Sequence, residues 1–92
     1  MSELQINVQG TPNPNAAKFQ LDGTRLGDSS RFYVASSEAA NDPLAARLFE
    51  IAGVRALLIV EDFITVTKHE DADWNDLVVR VEEVIRAELD AG

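Results

Sequence analysis

Two prolines and two asparagines fall within Thr11-Pro12-Asn13-Pro14-Asn15, a combination that neither a regular helix nor a central strand tolerates. Each proline fixes φ and lacks a backbone donor, and the residue ahead of it is pushed toward extended backbone. Asparagine accepts turn geometry and bonds its own backbone through its side chain. The segment is therefore a rigid, irregular connection. Two readings stand side by side: a fixed crossing that carries the first strand onto a sheet, or a loop whose set geometry presents binding groups.

The flanking pattern supplies the elements. Gln5-Ile6-Asn7-Val8-Gln9 alternates polar and apolar residues, as a half-buried strand does. Lys18-Phe19-Gln20-Leu21 alternates again, and Asp22-Gly23 reads as a turn. Residues 24–30 read as a loop, Arg31-Phe32-Tyr33-Val34 as a short strand, and residues 35–41 as a small, polar connector. Asp42-Pro43-Leu44 is a helix start: Asp42 caps orphan donors, and the missing donor of Pro43 costs nothing at that place. Leu44, Leu48 and Ile51 share a face beside Ala45, Phe49 and Ala52, and Gly53 suits a left-handed stop.

Val54–Val60 is expected as a buried strand, turning at Glu61-Asp62 into Phe63–Lys68. In that returning strand Ile64 and Val66 share one face, and Phe63, Thr65 and Thr67 the other. Asp73 is the expected cap of a last helix striped by Trp74, Leu77, Val78, Val81, Ile85 and Leu89. The expected fold is α+β: an antiparallel sheet of four to five strands packed by two helices, in the order β-β-β-α-β-β-α.

Ninety-two residues are expected to form a single domain over 1–92. No apolar run approaches the ~20 residues of a membrane helix, and the N-terminal residues lack a signal pattern, so a cytoplasmic protein without a membrane partner is expected. The net charge is −8, and residues 61–92 hold ten acids against three bases. That field excludes nonspecific nucleic-acid binding, which needs clustered bases. The acidic half is either a solvated helix face or a docking face for a basic partner.

The absence of cysteine removes thiolate nucleophiles, redox pairs and thiolate-held zinc or iron–sulfur clusters. His69 is the lone histidine, expected in an exposed turn, and no nucleophile motif accompanies it. Glu70, Asp71, Asp73 and Asp76 lack the glycine and closing glutamate of a calcium loop, so capping and solvation account for them. Lys18 and Lys68 are either edge lysines that discourage strand addition or a small basic spot, together with Arg47 or Arg55, for an acidic partner or anion.

Four blocks carry a family resemblance. They are Thr11-Pro12-Asn13-Pro14-Asn15-Ala16-x-Lys18-Phe19, Asp42-Pro43-Leu44-Ala45-x-x-Leu48-Phe49-x-Ile51-x-Gly53-Val54, Asp62-Phe63-Ile64-Thr65-Val66-Thr67-Lys68, and Asp73-Trp74. In this order they resemble the N-terminal domain of the Nfu (NifU-like) iron–sulfur scaffold proteins, as a stand-alone version. Two-domain members hold a cluster through a Cys-x-x-Cys pair in a second domain, and neither that domain nor the pair is present in these residues. The resemblance implies an α+β fold and a non-enzymatic accessory module for iron–sulfur cluster assembly or delivery, with no catalytic residues to carry over.

The expectation is a monomer that meets iron–sulfur assembly or client proteins and binds no cofactor through its own thiolates, any cluster being reached through those partners. The expected recognition surface is Thr11, Asn13, Asn15, Lys18, Phe63, Thr65, Thr67 and Lys68, with a sheet edge near Lys18 free to accept a partner strand. The alternative is a small-molecule or anion binder, or a minor enzyme, using the Thr11–Asn15 loop and Lys18 in a concave pocket. A carboxylate-based metal handler is the remaining option.

Overall fold

The computed structural model describes residues 4–22 and 30–89. The loop expected over residues 24–30 lies outside them save for Ser30, as does Gly23 of the expected turn. The elements run β1 (Gln5–Gly10), β2 (Ala16–Asp22), β3 (Arg31–Tyr33), α1 (Pro43–Phe49), β4 (Val54–Val60), β5 (Phe63–Lys68) and α2 (Trp74–Leu89). The α+β order is the expected one. The connector over 35–41 is more than a link: it winds into a 3-10 helix over Ser36–Ala39, with Ala39 fully buried.

The five strands form one sheet in the order β1-β2-β5-β4-β3, each neighbouring pair antiparallel. Both helices cover the same side. Their apolar stripes, Leu44, Ala45 and Leu48 from α1 and Leu77, Val81 and Ile85 from α2, join Phe19, Leu21, Leu57, Ile59, Ile64 and Val66 in one core. Alternation along β5 is as expected: Ile64 and Val66 are fully buried, while Phe63, Thr65 and Thr67 are half-buried on the opposite face. Among the described residues no helix is long and apolar enough to cross a membrane.

Local chemistry fixes the helix ends. The Asp42 carboxylate accepts from the Ala45 amide (3.3 Å), capping α1 ahead of Pro43. The Asp73 carboxylate accepts from the Asn75 amide (2.9 Å) at the start of α2. Gly53 has φ of 103°, and a Cβ there would stand 2.9 Å from that of Ala72, so the position needs glycine twice over.

One irregularity escapes periodicity. The β4–β5 register shifts between Val54 and Ala56, which leaves exposed Arg55 bulged. The extra residue lets Val54 and Leu57, three positions apart, both face the helices.

Candidate functional site

The face of the sheet away from the helices is built from the strand residues that alternate with the core. Cross-strand registers align Gln9, Lys18, Thr65, Leu58 and Phe32 in one row from β1 to β3. Asn7, Gln20, Phe63 and Val60 form the next row. The Lys18 Nζ lies 4.4 Å from the centroid of the Phe63 ring, within cation–π range. The Gln20 amide donates to the Asp62 carbonyl (3.1 Å) and ties the row to the β4–β5 turn. Phe32, at the far end, is 63% exposed. Lys18 is the one base among these strand positions. The face thus offers a cation held over an aromatic ring, hydroxyls and an apolar end.

The eight residues expected to form one recognition surface divide between two places. Lys18, Phe63, Thr65 and Thr67 share the helix-free face. Lys68 does not, because it continues the Ile64-Val66 alternation onto the helix side and is only 7% exposed. Its ammonium donates to Asn15 Oδ1 (3.0 Å) and lies 3.3 Å from the His69 carbonyl, 3.4 Å from that of Glu70 and 5.9 Å from the Trp74 ring centroid.

The edge-lysine reading is also corrected, since β2 and β5 are both inner strands. Lys18 therefore does not itself lie on an edge, and the edge nearest to it is β1, whose Gln9 stands opposite Lys18. Among the described residues the edges of the sheet are β1 and β3. Arg47 joins neither lysine on a common spot: it lies on α1 and pairs with Glu88 of α2 (3.4 Å).

The Pro/Asn loop is tied down from within and from below. The Thr11 hydroxyl accepts from the Asn13 amide (3.1 Å) and lies 3.0 Å from the Ala16 carbonyl. Asn13 Oδ1 accepts from the Asn15 amide (2.9 Å). The Asn15 carbonyl accepts from the Lys68 amide (2.7 Å), and the Trp74 indole donates to the Pro14 carbonyl (3.0 Å). Asn13 is exposed and its Oδ1 is engaged within the loop, whereas Asn15 Oδ1 is engaged by Lys68. The segment is the connection of the β1–β2 hairpin, whose strands pair from Gly10–Ala17 to Gln5–Asp22.

A polar cluster behind β3 was not foreseen. Asp42, 7% exposed, receives Arg31 at 2.7 Å and the Tyr33 hydroxyl at 3.0 Å. The cap signal at Asp42 was legible. Its partners were not, although Arg31 and Tyr33 stand two residues apart on one side of a strand. Desolvation, followed by the hydrogen bond to Asp42, pushes the Tyr33 phenol above its ordinary 10.0.

A raised folded-state value for a phenol means the fold favours its neutral form. That stability is fully present below the unfolded value and lost as pH rises through the folded one. Wild type is therefore expected to lose more stability than Tyr33→Phe between about pH 9 and 12, read from urea midpoints of both proteins. Parallel losses would show that the Tyr33 proton is not linked to folding.

A cleft of about 380 Å³ between α1 and α2 is lined by Arg47, Glu50, Ile51, Arg80, Glu83, Val84 and Ala87. Its arginines are answered by acids, Arg47 by Glu88 and Arg80 by Asp76 (3.3 Å). Among the described residues no group of three histidine or acidic side chains is arranged to hold a metal ion. His69 is exposed beside the Lys68 ammonium, and its amide donates to the Gly53 carbonyl (2.8 Å).

The family model described as scaffold protein Nfu/NifU N terminal matches residues 6–92. The chain belongs to this family. It is 41% identical over 81 residues to the protein named NFU1 iron-sulfur cluster scaffold homolog, mitochondrial, of Drosophila persimilis, covering 87% of this chain and 29% of that protein. The human protein of the same name is 42% identical over 71 residues, covering 76% and 28%. This Nfu N-terminal chain thus spans less than a third of those relatives.

Among solved structures, the NifU-like protein from Saccharomyces cerevisiae superposes with a TM-score of 0.82 at 30% identity, covering 97% of this chain and 81% of that one. Protein SAV1430 from Staphylococcus aureus gives 0.72 at 30% identity, covering 88% and 98%. The family is one of iron–sulfur cluster scaffolding, and the present residues contain no cysteine.

Proposed function

We propose that this Nfu N-terminal chain is a non-enzymatic docking module for iron–sulfur assembly or client proteins, and that they engage the helix-free face around Lys18 and Phe63. One observation carries the reading: Lys18 stands over the Phe63 ring in the middle of that face, on the same side as exposed Phe32. A cation fixed on an aromatic surface, in a chain of net charge −8, suits a partner that brings a carboxylate beside an apolar side chain. With no thiolate in these residues, any cluster is held by the partner. The anion-binding alternative requires the Thr11–Asn15 loop and Lys18 to converge, whereas the side-chain oxygens of Thr11, Asn13 and Asn15 are already engaged by loop amides and by Lys68.

The test is titration of the ¹⁵N-labelled chain with purified iron–sulfur assembly and client proteins. Amide shifts are expected over β2, β5 and β4, and Lys18→Glu with Phe63→Ala is expected to weaken binding by about tenfold or more. Shifts confined to the helices or the Pro/Asn loop, with affinity untouched by the double variant, would place docking elsewhere.

A further inference from the structure

We infer that β1 is a self-pairing edge, joining two copies of this chain about a two-fold axis into a continuous ten-stranded sheet. The two edges of the sheet differ in kind. β3 is three residues long and carries Arg31, both of which blunt strand addition. β1 is six residues long, has no charge and no proline, and among the described residues is paired on one side only, to β2.

The sequence of β1 identifies the occupant. Gln5-Ile6-Asn7-Val8-Gln9 reads almost the same in both directions. Antiparallel pairing centred on Asn7 sets Ile6 opposite the other copy's Val8, and Gln5 opposite its Gln9. Like meets like at every position, and side chains directly opposite share a face.

The register with β2 settles those faces. Ile6 and Val8 oppose Leu21 and Phe19, so they lie on the helix side. Gln5, Asn7 and Gln9 lie on the helix-free side. Val8 is 40% exposed although it faces the core side. In the pair, the other copy's Ile6 covers it, and the glutamines meet as amide pairs. Centring on Val8 instead would set Ile6 against Gly10 and lose both matches. The local neutrality of β1 matters because each copy carries −8: the edge is a place where two such chains meet without opposing like charges.

A pairing this short buries less than the roughly 1,000 Å² of a tight interface, so association is expected near about 0.1 mM and to strengthen as salt screens the net charge. Sedimentation equilibrium of the 92-residue chain, from about 10 µM to 1 mM, tests it. The mass should rise from monomer to dimer and stop there, with the rise larger at higher salt.

Gln5→Lys with Gln9→Lys places like charges opposite each other and should weaken association by at least about tenfold. Gln5→Lys with Gln9→Glu places opposite charges there and should restore it. Val8→Lys should also abolish it, and Val79→Lys, at a position 57% exposed on α2, should not. All four sites are at the surface, and unchanged far-UV dichroism confirms the fold of each variant. A wild type that stays monomeric throughout overturns the proposal and leaves β1 to a strand of another protein. Association that ignores the glutamine pairs, or falls equally with Val79→Lys, overturns it as well.

Discussion

Replacing Asp42 with alanine is expected to lower stability by about 3 kcal/mol. The carboxylate is nearly buried and serves three groups at once: the Ala45 amide, the Arg31 guanidinium and the Tyr33 hydroxyl. Loss of the cap alone costs about 1 kcal/mol. The rest comes from two donors left without their acceptor, discounted because the Arg31 side chain is 34% exposed and partly solvated. For a chain of this size each kcal/mol moves the midpoint by roughly 4–8 °C, so a fall of about 15 °C is expected in a thermal melt. Asp42→Asn keeps an oxygen for the cap and should lose about half as much. A change under about 1 kcal/mol for the alanine variant would show that the cluster is not coupled to folding.

The second large effect belongs to Lys68. Lys68→Met keeps most of the aliphatic stem and removes the ammonium that gathers Asn15 Oδ1 and two turn carbonyls beside the Trp74 ring. Bonds to a charged donor are worth about 1.5–3 kcal/mol each. His69 and Glu70 are exposed, so water replaces part of the loss. The expected cost is about 2 kcal/mol by urea unfolding, with faster hydrogen exchange at the Lys68 amide, which bonds the Asn15 carbonyl. Lys68→Glu should be worse, because a carboxylate would face three oxygens. A loss of partner binding in that variant would therefore report unfolding of the loop and say nothing of docking. An unchanged midpoint in Lys68→Met would remove the ammonium from the list of groups that hold the loop.

Most of the fold was legible because local signals agreed with the tertiary outcome. Asp42-Pro43 and Asp73 marked helix starts, Gly53 marked a left-handed residue, and the α2 stripe gave its buried side. The helix-free face was half legible: alternation in β5 separates Phe63, Thr65 and Thr67 from the core. The same alternation assigns Lys68 to the side of Ile64 and Val66, a signal outweighed by the expectation that lysines stay in water.

Strand order is a different matter. Nothing in the residues says that β5 inserts between β2 and β4, because the pairing joins segments more than forty positions apart, as Lys18 with Thr65. Without that order, inner-strand lysines look like edge lysines. The Arg55 bulge and the partners of Asp42 likewise depend on what a distant segment brings, and Phe32 was missed because a three-residue strand gives too short a pattern to establish its faces.

The central position of β5 has a consequence for whatever lands on the sheet. Its side chains point alternately to solvent and to the innermost core, and its backbone is bonded on both flanks. A surface of that kind opens only when the whole fold opens, so it belongs to the slowest-exchanging part of a protein. It loses little freedom when it is covered, and it offers almost no induced fit in return. Adaptation must then come from the visitor. A flexible segment that orders against a stiff plate can be shared among many proteins, each contributing its own folding on contact, while the plate itself stays the same.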